Sequence, residues 1–321
     1  MLFVSFFVVA HGMVAVTGMV FNLFLVYLAI FHTPRVIKSY TTLIINFAMT
    51  DFFACLADLV VQQRIIPAGW TLGYISNGLC KYHSPTACYV GYSLMLHFFS
   101  HSLWSLLLSF SYRYYILFHS APTRLKLFGV VLLIYIPSLF QLISFLWAQD
   151  EPSEIVEILH NKFPDYTLDG YTVTGTKNIL CFSALFTILH MTLPVTPVYT
   201  GILIFRKKII QQLAEKTANL TKTTKKLHSQ LLMALTFQAM LPGFYAISVG
   251  SYGIGQLGIY NHPVLEYTTF TSVIFIPLLS PVASFVFVTP YRRFITRFFI
   301  RGKIVDPTYE TSYNHSLTTR Y

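Results

Sequence analysis

Seven long apolar stretches divide the sequence, and the basic residues between them are unequally distributed. Of the 22 Lys and Arg residues, 18 lie in every second gap or in the C-terminal tail, and the alternate gaps hold only Arg64, Lys81, Lys162 and Lys177. Each stretch can cross a hydrocarbon core of about 30 Å as a helix, and backbone amides in lipid must be paired within their own segment. The sequence therefore predicts an all-α membrane protein, a bundle of seven transmembrane helices at about 3–31, 40–63, 85–118, 127–148, 179–205, 231–250 and 264–289.

The same distribution predicts the orientation. Positive charge is retained on the cytoplasmic side of a membrane, so we expect the N-terminus outside the cell and the tail inside. The first stretch begins almost at Met1 without a basic n-region or a cleavage site, which favours a retained signal anchor. The net charge of +10 thus reflects topology. A chain with only 11% charged residues has no soluble basic face that could bind nucleic acid. It also has too little polar sequence for a separate catalytic domain.

Three of the four cysteines lie on the predicted outer side, where oxidising conditions let a disulfide persist. Cys88 opens the third span and Cys181 opens the fifth, so a bond between them would tie the acidic outer loop 149–178 to the bundle. A bond between Cys80 and Cys181 is the alternative, and one of the three is also readable as a free thiol. The acidic run is interpreted as a solvated face, with attraction of cationic ligands as the second interpretation.

Polar residues inside the spans indicate packing contacts, water-filled cavities or switches, because an ionised Asp at a helix centre costs about 2.5–3.5 kcal/mol on insertion scales. Asp51 lies in the middle of the second span and Asp58 two turns later on the same face. Asn22 of the first span is a candidate donor to Asp51. His97 and His101 are one turn apart, but no HExxH glutamate accompanies them, so we interpret them as packed or pocket-lining residues rather than metal ligands. The sequence predicts no cofactor.

Prolines interrupt the fifth, sixth and seventh spans and permit kinks there. After the seventh span, segment 290–301 places Phe294, Ile295 and Phe298 on one helical side and arginines largely on another. This pattern predicts a short amphipathic helix on the inner leaflet, held by burial of aromatic rings and by anionic lipid. Residues 302–321 are then a cytoplasmic tail.

These features together resemble a G-protein-coupled receptor. Asn22 in GMVFN and Asp51 in NFAMTD resemble the polar positions of helices one and two in rhodopsin-like receptors, and Arg113 in YRYY resembles the arginine of their DRY motif. The stretches QQRIIPAGWTLGYISNGLCKY, CYVGYSLMLHFFSHSLWSLLLSFSYRYYIL and TPYRRF are similar to the nematode serpentine receptor family, class delta, and the likeness covers nearly the whole chain. That family is regarded as chemosensory. The resemblance implies an environmental small-molecule ligand, a heterotrimeric G protein as partner, and a plasma-membrane location that includes a sensory cilium.

The sequence also departs from the rhodopsin-like pattern at the positions of presumed switches. Tyr112 replaces the acid before Arg113, helix six reads QAMLPGF without the usual Trp, and helix seven reads SPVASF where NPxxY is expected. Helix seven has no lysine, which excludes a retinal Schiff base. Any switch in this chain must therefore use other contacts.

The receptor interpretation places a ligand between the outer halves of helices three, five, six and seven. The residues expected to line that site are Met95, Leu96, Phe99, Phe186, His190, Tyr245, Glu266, Tyr267 and Phe270. Switch or G-protein contacts are expected at Asn22, Asp51, Arg113, Lys225, Lys226, Arg292 and Arg293. The basic inner surface suits an acidic partner.

A ligand-gated channel or a transporter is the alternative function. Such proteins usually show lines of charged residues, repeats or broken helices at mid-depth, whereas the intramembrane acids here are few and unrepeated. An enzyme is not expected, because the sequence has neither HExxH nor GxSxG. Sequons at Asn219 and Asn314 fall on the predicted inner side and should carry no sugar.

Overall fold

The computed structural model describes residues 2–33, 40–168, 170–216, 233–234 and 236–301. Its helices are α1 (Leu2–Phe31), α2 (Thr41–Val61), α3 (Pro85–Tyr115), α4 (Arg124–Phe145), α5 (Pro152–Lys162), α6 (Phe182–Thr192), α7 (Val195–Lys216), α8 (Pro242–Gln256), α9 (Pro263–Phe287) and α10 (Thr289–Arg301). Within this part of the chain, six helical segments are long and apolar enough to cross a membrane. The predicted helical membrane bundle is therefore confirmed, and the sixth span at 231–250 is described only in part.

Helix α3 forms the centre of the bundle and α4 its periphery. In the span that contains α3, 72% of the most apolar window is buried, against 22% for the span that contains α4. Helix α1 packs along α2 and α9, and α3 packs along α2, α4 and α7. Because α3 is largely buried and runs from the sheet end to Arg113, it contacts residues at both ends of the bundle.

A proline divides the predicted fifth span into two helices. Helix α6 ends at Thr192 and α7 begins at Val195, with Leu193 and Pro194 between them. Pro194 has no N–H to donate to the carbonyl of His190, so the helical ladder is interrupted there. The kink expected in this span is present.

A three-stranded antiparallel sheet covers one end of the bundle, and the sequence interpretation missed it. Its strands are β1 (Gln63–Ala68), β2 (Thr71–Ser76) and β3 (Thr172–Thr176), in the order β1-β2-β3. Strands β1 and β2 are joined by a two-residue turn in which Gly69 has a φ of 73°, a conformation that favours glycine. We call the end of the bundle that carries this sheet the sheet end, and the opposite end, which carries Arg113, the arginine end.

The acidic segment 149–178 is not a simple loop, and that expectation was wrong. It contains α5 and β3. Ile155 and Leu159 are one turn apart on α5 and are completely buried against the sheet, whereas Glu154 and Glu157 are exposed. The sequence analysis considered only the charges of this segment. It overlooked the apolar i, i+4 pair, which is typical of a helix with one buried face.

The predicted disulfide between Cys88 and Cys181 was also wrong. Cys88 is bonded to Cys80, with their Cα atoms 5.0 Å apart, and Cys181 is a partly buried free thiol at the N-terminus of α6. A 3₁₀ turn at Leu79–Tyr82 and the start of α3 at Pro85 reverse the chain, which brings Cys80 beside the first turn of α3. The sequence interpretation used only the position of each cysteine relative to the spans.

Helix α10 has two unlike faces. Tyr291 is completely buried, and its hydroxyl lies 2.7 Å from Thr33 Oγ1, close to the end of α1. Phe294 and Ile295 pack on the same side, while Arg292 and Arg293 are exposed. The side chain of Phe298 lies outside the described residues.

The cysteine pairing is testable by counting thiols. Maleimide labelling under denaturing, non-reducing conditions should give two labels in the wild type, at Cys55 and Cys181, and one label in Cys181→Ser, read by intact mass. Three labels in Cys181→Ser would instead indicate that Cys181 normally pairs with one of the other two. Cys88→Ser should lower the free energy of unfolding by about 2–3 kcal/mol, the loop-closure contribution of so short a loop.

Candidate functional site

An apolar cavity lies under the sheet, between α3, α6, α8 and α9. The cavity volume is about 80 Å³. At about 10–15 Å³ for each water-sized group, it has room for roughly five to eight of them. The strand residues that line it are Ile65, Leu72 and Tyr74. The helical residues that line it are Tyr92, Leu96, Phe99, Phe145, Thr187, Ile188, Met191, Thr192, Tyr245, Ser248, Val249, Tyr252, Thr269, Phe270 and Val273.

The structure brings some of the predicted ligand-binding residues to this cavity and leaves others outside it. Those in its lining are Leu96, Phe99, Tyr245 and Phe270. Those outside its lining are Met95, Phe186, His190, Glu266 and Tyr267. The predicted ligand-binding set therefore shares residues of α3, α8 and α9 with the cavity lining, but none of its α6 residues.

On α6, the aromatic face turns toward α4. The ring of Phe186 lies 5.0 Å from that of Phe140, in an edge-to-face arrangement. His190 Nδ1 lies 2.6 Å from Gln141 Oε1 and 3.2 Å from Ser100 Oγ. The cavity therefore receives the Thr and Ile side of α6 instead. Nothing in the residue types alone distinguishes these two half-buried faces.

The cavity lining, as far as the chain is described, has hydroxyl groups but no charged side chain. Four phenols and the hydroxyls of Thr187, Thr192, Ser248 and Thr269 supply its polar atoms. Burial raises the pKa of the Tyr74 phenol well above its usual range, so this group stays neutral. A neutral apolar site with a few polar groups is typical of small-molecule pockets.

A buried ion pair fastens the sheet to α9. Arg64 of β1 donates from Nε to Glu266 Oε2 at 2.6 Å, and both residues are buried. Tyr166 donates its hydroxyl to Glu266 Oε1 at 2.8 Å, and the Arg64 guanidinium lies 5.0 Å from the centre of the Tyr166 ring. Burial and the hydrogen bond to Glu266 raise the pKa of Tyr166. The Glu266 carboxylate is thus already paired within the protein, which leaves it poorly placed to meet a cationic ligand.

Tyr267 belongs to the same closure of the sheet end. Its ring stacks on that of Phe7 with centroids 5.0 Å apart, and its hydroxyl lies 3.4 Å from Asn77 Nδ2. The Arg64 guanidinium also lies 5.6 Å from the centre of the Tyr267 ring. These contacts join α1, α9 and the segment after β2.

Deeper in the bundle, the expected pairing of Asn22 with Asp51 was wrong. Asp51 is fully buried and accepts from Ser102 Oγ at 2.7 Å. Asn22 Nδ2 donates to the carbonyl of Pro277 at 2.8 Å. Pro281, one turn further along α9, has no N–H to donate to that carbonyl. Asn22 of α1 therefore satisfies an acceptor that the prolines of α9 leave without its helical partner.

Two further groups of polar side chains lie within the bundle. His11 Nδ1 of α1 lies 3.1 Å from Asp58 Oδ2 of α2, and both residues are buried. The sequence interpretation did not single out His11, although a lone His in an apolar helix is a signal for such a partner. His97 and His101 both pack their rings on Tyr135 of α4, at 4.9 and 4.2 Å between centroids.

At the arginine end, a tyrosine contacts Arg113. Arg113 Nη2 donates to Tyr40 Oη at 2.6 Å, and the guanidinium lies 4.5 Å from the centre of the Tyr40 ring. Tyr40 Oη also lies 2.5 Å from Ser109 Oγ, one turn before Arg113. Tyr112, which replaces the expected acid, is buried against the Tyr40 ring. Lys225 and Lys226 lie outside the described residues.

The buried and exposed ion pairs of the sheet end should respond differently to mutation. Glu266→Ala leaves Arg64 buried without its carboxylate, so we expect the free energy of unfolding to fall by about 3–5 kcal/mol. Glu154→Ala removes the exposed pair between Lys177 and Glu154 and should leave stability unchanged within error. Unfolding in detergent measures both variants, and equal losses would contradict a structural role for Arg64 and Glu266.

Comparison with known proteins agrees with this architecture. The sequence model described as "Serpentine type 7TM GPCR chemoreceptor Srd" matches residues 7–297. Serpentine receptor class delta-18 of Caenorhabditis elegans is 44% identical over 299 residues, which cover 92% of this chain and 89% of the relative. Serpentine receptor class delta-1 of the same organism is 34% identical, over 87% of this chain and 77% of the relative. The resemblance seen in the sequence is thus confirmed, and the chain belongs to the Srd family of serpentine seven-transmembrane chemoreceptors.

Proposed function

We propose that this protein is a chemosensory receptor of the plasma membrane, that it binds a small extracellular molecule in the cavity under the sheet, and that it signals through a heterotrimeric G protein. The observation that carries the proposal is the cavity itself, which is lined by four helices around α3, namely α4, α6, α8 and α9, and is roofed by β1 and β2. Such a site lets one ligand contact several mobile elements at once. Family membership supports the same function.

Helix α3 is the physical link between the two ends. Phe99 lines the cavity and Arg113 lies 14 residues later on the same helix, a distance of about 21 Å at 1.5 Å per residue. Two of the other cavity walls belong to helices with a weakened ladder: α6 ends at the Pro194 break, and α9 contains Pro277 and Pro281. A ligand that contacts these walls better in one arrangement shifts the population toward it.

The contact between Tyr40 and Arg113 is the proposed restraint of the resting state. In this family member no acid precedes Arg113, and the Tyr40 hydroxyl supplies an acceptor instead. Release of Arg113 would free its guanidinium for an acidic face of the G protein. Arg292 and Arg293, exposed on α10, contribute positive charge at the same end.

Removing the Tyr40 hydroxyl should activate the receptor without ligand. A hydrogen bond to a charged group contributes about 1.5–3 kcal/mol, so Tyr40→Phe should raise basal signalling roughly 10- to 100-fold where the active fraction is small. Arg113→Ala should abolish signalling. A second-messenger reporter at matched surface expression measures both.

Tyr115→Phe is the matched control, because Tyr115 is exposed near Arg113 and stacks only on its neighbour His119 among the ring contacts; it should leave basal signalling unchanged. If Tyr40→Phe lowered basal signalling as Arg113→Ala does, Tyr40 would be part of the active state rather than a restraint. Ligand-evoked current that persists with G-protein signalling blocked would favour a channel and contradict the receptor proposal.

The proposed orientation places the sheet end outside the cell. An epitope fused before Met1 should bind antibody on intact cells, and an epitope after Tyr321 only after permeabilisation. Asn219 and Asn314 should carry no glycan, which a mobility shift with glycosidase measures. Sugar on Asn219 would reverse the topology and overturn the ligand site as an extracellular one.

A further inference from the structure

The cavity under the sheet is closed on most of its sides. Its lining residues on β1, β2, α3, α4 and α9 are all buried. The roof is the tightest part: Ile65, Leu72 and Tyr74 are at most 5% exposed, and the Arg64–Glu266 pair holds the sheet to α9. Within the described residues, the roof thus separates the cavity from the water above the sheet end.

The wall between α6 and α8 is different. Among the lining residues that the structure describes, those that are only partly buried are Ile188, Met191 and Thr192 of α6 and Val249 and Tyr252 of α8. Each of these residues borders the cavity and also reaches the outer surface of the bundle. The wall is therefore one side chain thick where α6 and α8 meet, and we call this wall the seam.

The seam is held by few contacts. Helix α6 packs mainly against α4, and α8 packs mainly against α9. In the described chain, the one hydrogen bond between α6 and α8 runs from the Tyr245 hydroxyl to the Met191 sulfur, at 3.8 Å, and a thioether is a weak acceptor. Because a Met side chain has three rotatable bonds, Met191 can swing aside without breaking a strong interaction.

The outer edge of the seam has free space. Gly253 lies one turn after Val249 on α8, and a Cβ added there would meet no atom of the described residues within 4 Å. Residues one turn apart lie on the same face of a helix. The side of α8 that borders the seam is therefore not closed by a neighbouring side chain at this point.

The surroundings of the seam indicate that it faces lipid. Neither α6 nor α8 contains Lys, Arg, Asp or Glu, and their exposed side chains include Leu189, Leu193, Ile247 and Ile254. Helix α6 belongs to one of the segments that are long and apolar enough to cross a membrane. A molecule that reaches the seam thus arrives from the hydrocarbon layer, where a charged group is costly.

We propose that the cavity fills from the bilayer: an uncharged, lipid-soluble molecule enters sideways through the seam when Met191 moves aside. This inference rests on the proposed ligand-binding function of the cavity. An extracellular molecule of this class first dissolves in the membrane, because its apolar surface leaves water. The described lining, which has no charged side chain, then receives it without the need to desolvate a charge.

The test measures how fast a thiol in the cavity is modified in the purified full chain in lipid nanodiscs. Val273→Cys and Ser248→Cys each place a reporter thiol in the lining. Both are made in the Cys181→Ser background, whose remaining free thiol, Cys55, is fully buried and provides the blank. The reagents are 3,3-dimethylbutyl methanethiosulfonate, which is uncharged, and 2-(trimethylammonio)ethyl methanethiosulfonate, which has the same shape and a positive charge. We expect the uncharged reagent to modify both reporters roughly 100-fold faster, because a charge at this depth is costly.

Gly253→Trp should close the outer edge of the seam. A helical side chain lies over the turn that precedes its own residue, so the indole would cover Val249, starting from a Cβ that meets no neighbour. We expect the uncharged reagent to modify both reporters severalfold more slowly. Gly243→Trp is the matched control, because an added Cβ there also meets no described atom within 4 Å. It lies on the same helix about 15 Å away at 1.5 Å per residue, and the rates should stay unchanged.

The outcomes separate the route from the proposed function. If Gly253→Trp leaves the rates unchanged, or if the charged reagent reacts as fast as the uncharged one, the route through the seam is wrong, while the cavity still admits small molecules. If neither reagent modifies either reporter in the folded protein, although both reporters react after unfolding, the cavity is closed to small molecules. That result would overturn the proposed function together with the route.

Discussion

The ion pair between Arg64 and Glu266 is the contact on which the sheet end depends. It joins a strand to a helix that is far away in sequence, and it removes two charges from water, which is favourable only when the remaining donors and acceptors are also satisfied. Tyr166 donates a hydrogen bond to the second oxygen of the Glu266 carboxylate, and the rings of Tyr166 and Tyr267 flank the Arg64 guanidinium. Because this pair holds the sheet over the helices, the apolar space beneath it is enclosed as a cavity. The sequence analysis expected the Glu266 carboxylate to line the ligand site. In the structure, this carboxylate pairs with Arg64 and holds the sheet to α9 instead.

The helices that surround this cavity are shaped by a second constraint. In lipid, every backbone acceptor must find a hydrogen-bond donor within the protein. Pro281 deprives the Pro277 carbonyl of its helical donor, and Asn22 of α1 supplies a replacement from another helix. A side-chain donor can move away at lower cost than a helical N–H, since no regular ladder is broken when it leaves. Helix α9 is therefore held by the Glu266 ion pair near its start and by the hydrogen bond from Asn22 at its prolines. Under the proposed function, the hydrogen bond from Asn22 is a point at which α9 can change shape when a molecule binds in the cavity.

The sequence predicted the bundle well, because the cost of burying polar groups in lipid acts on long segments and leaves a strong pattern. It did not predict the sheet: β1 and β2 are short, fully buried and without polar alternation, so no periodic pattern marks them as strands in the gap between the second and third spans. The pairing of Cys80 with Cys88 depends on the 3₁₀ turn at Leu79–Tyr82 and the start of α3 at Pro85, and the position of each cysteine relative to the spans did not reveal it. On α6, the walls of the cavity depend on which of two half-buried faces meets α4, a choice made by packing partners that no local pattern encodes. His11 and Tyr40 were missed because each acquires its role from a partner on another helix.

Two of the departures from the rhodopsin-like pattern are accompanied by a similar contact in the structure. Where the acid before Arg113 is absent, a tyrosine from the start of α2 supplies the acceptor, and its ring covers the guanidinium. Where the end of helix seven lacks its usual tyrosine motif, Tyr291 of α10 is buried and contacts Thr33 near the end of α1. In both places the contact is made by a neutral phenol from a neighbouring element. Phenols hold their partners less strongly than carboxylates, because the hydrogen bond carries only one formal charge. A receptor restrained through Arg113 and Tyr40 as proposed above would need less ligand binding energy to leave its resting state, which suits the proposed binding cavity with its apolar walls and few polar groups.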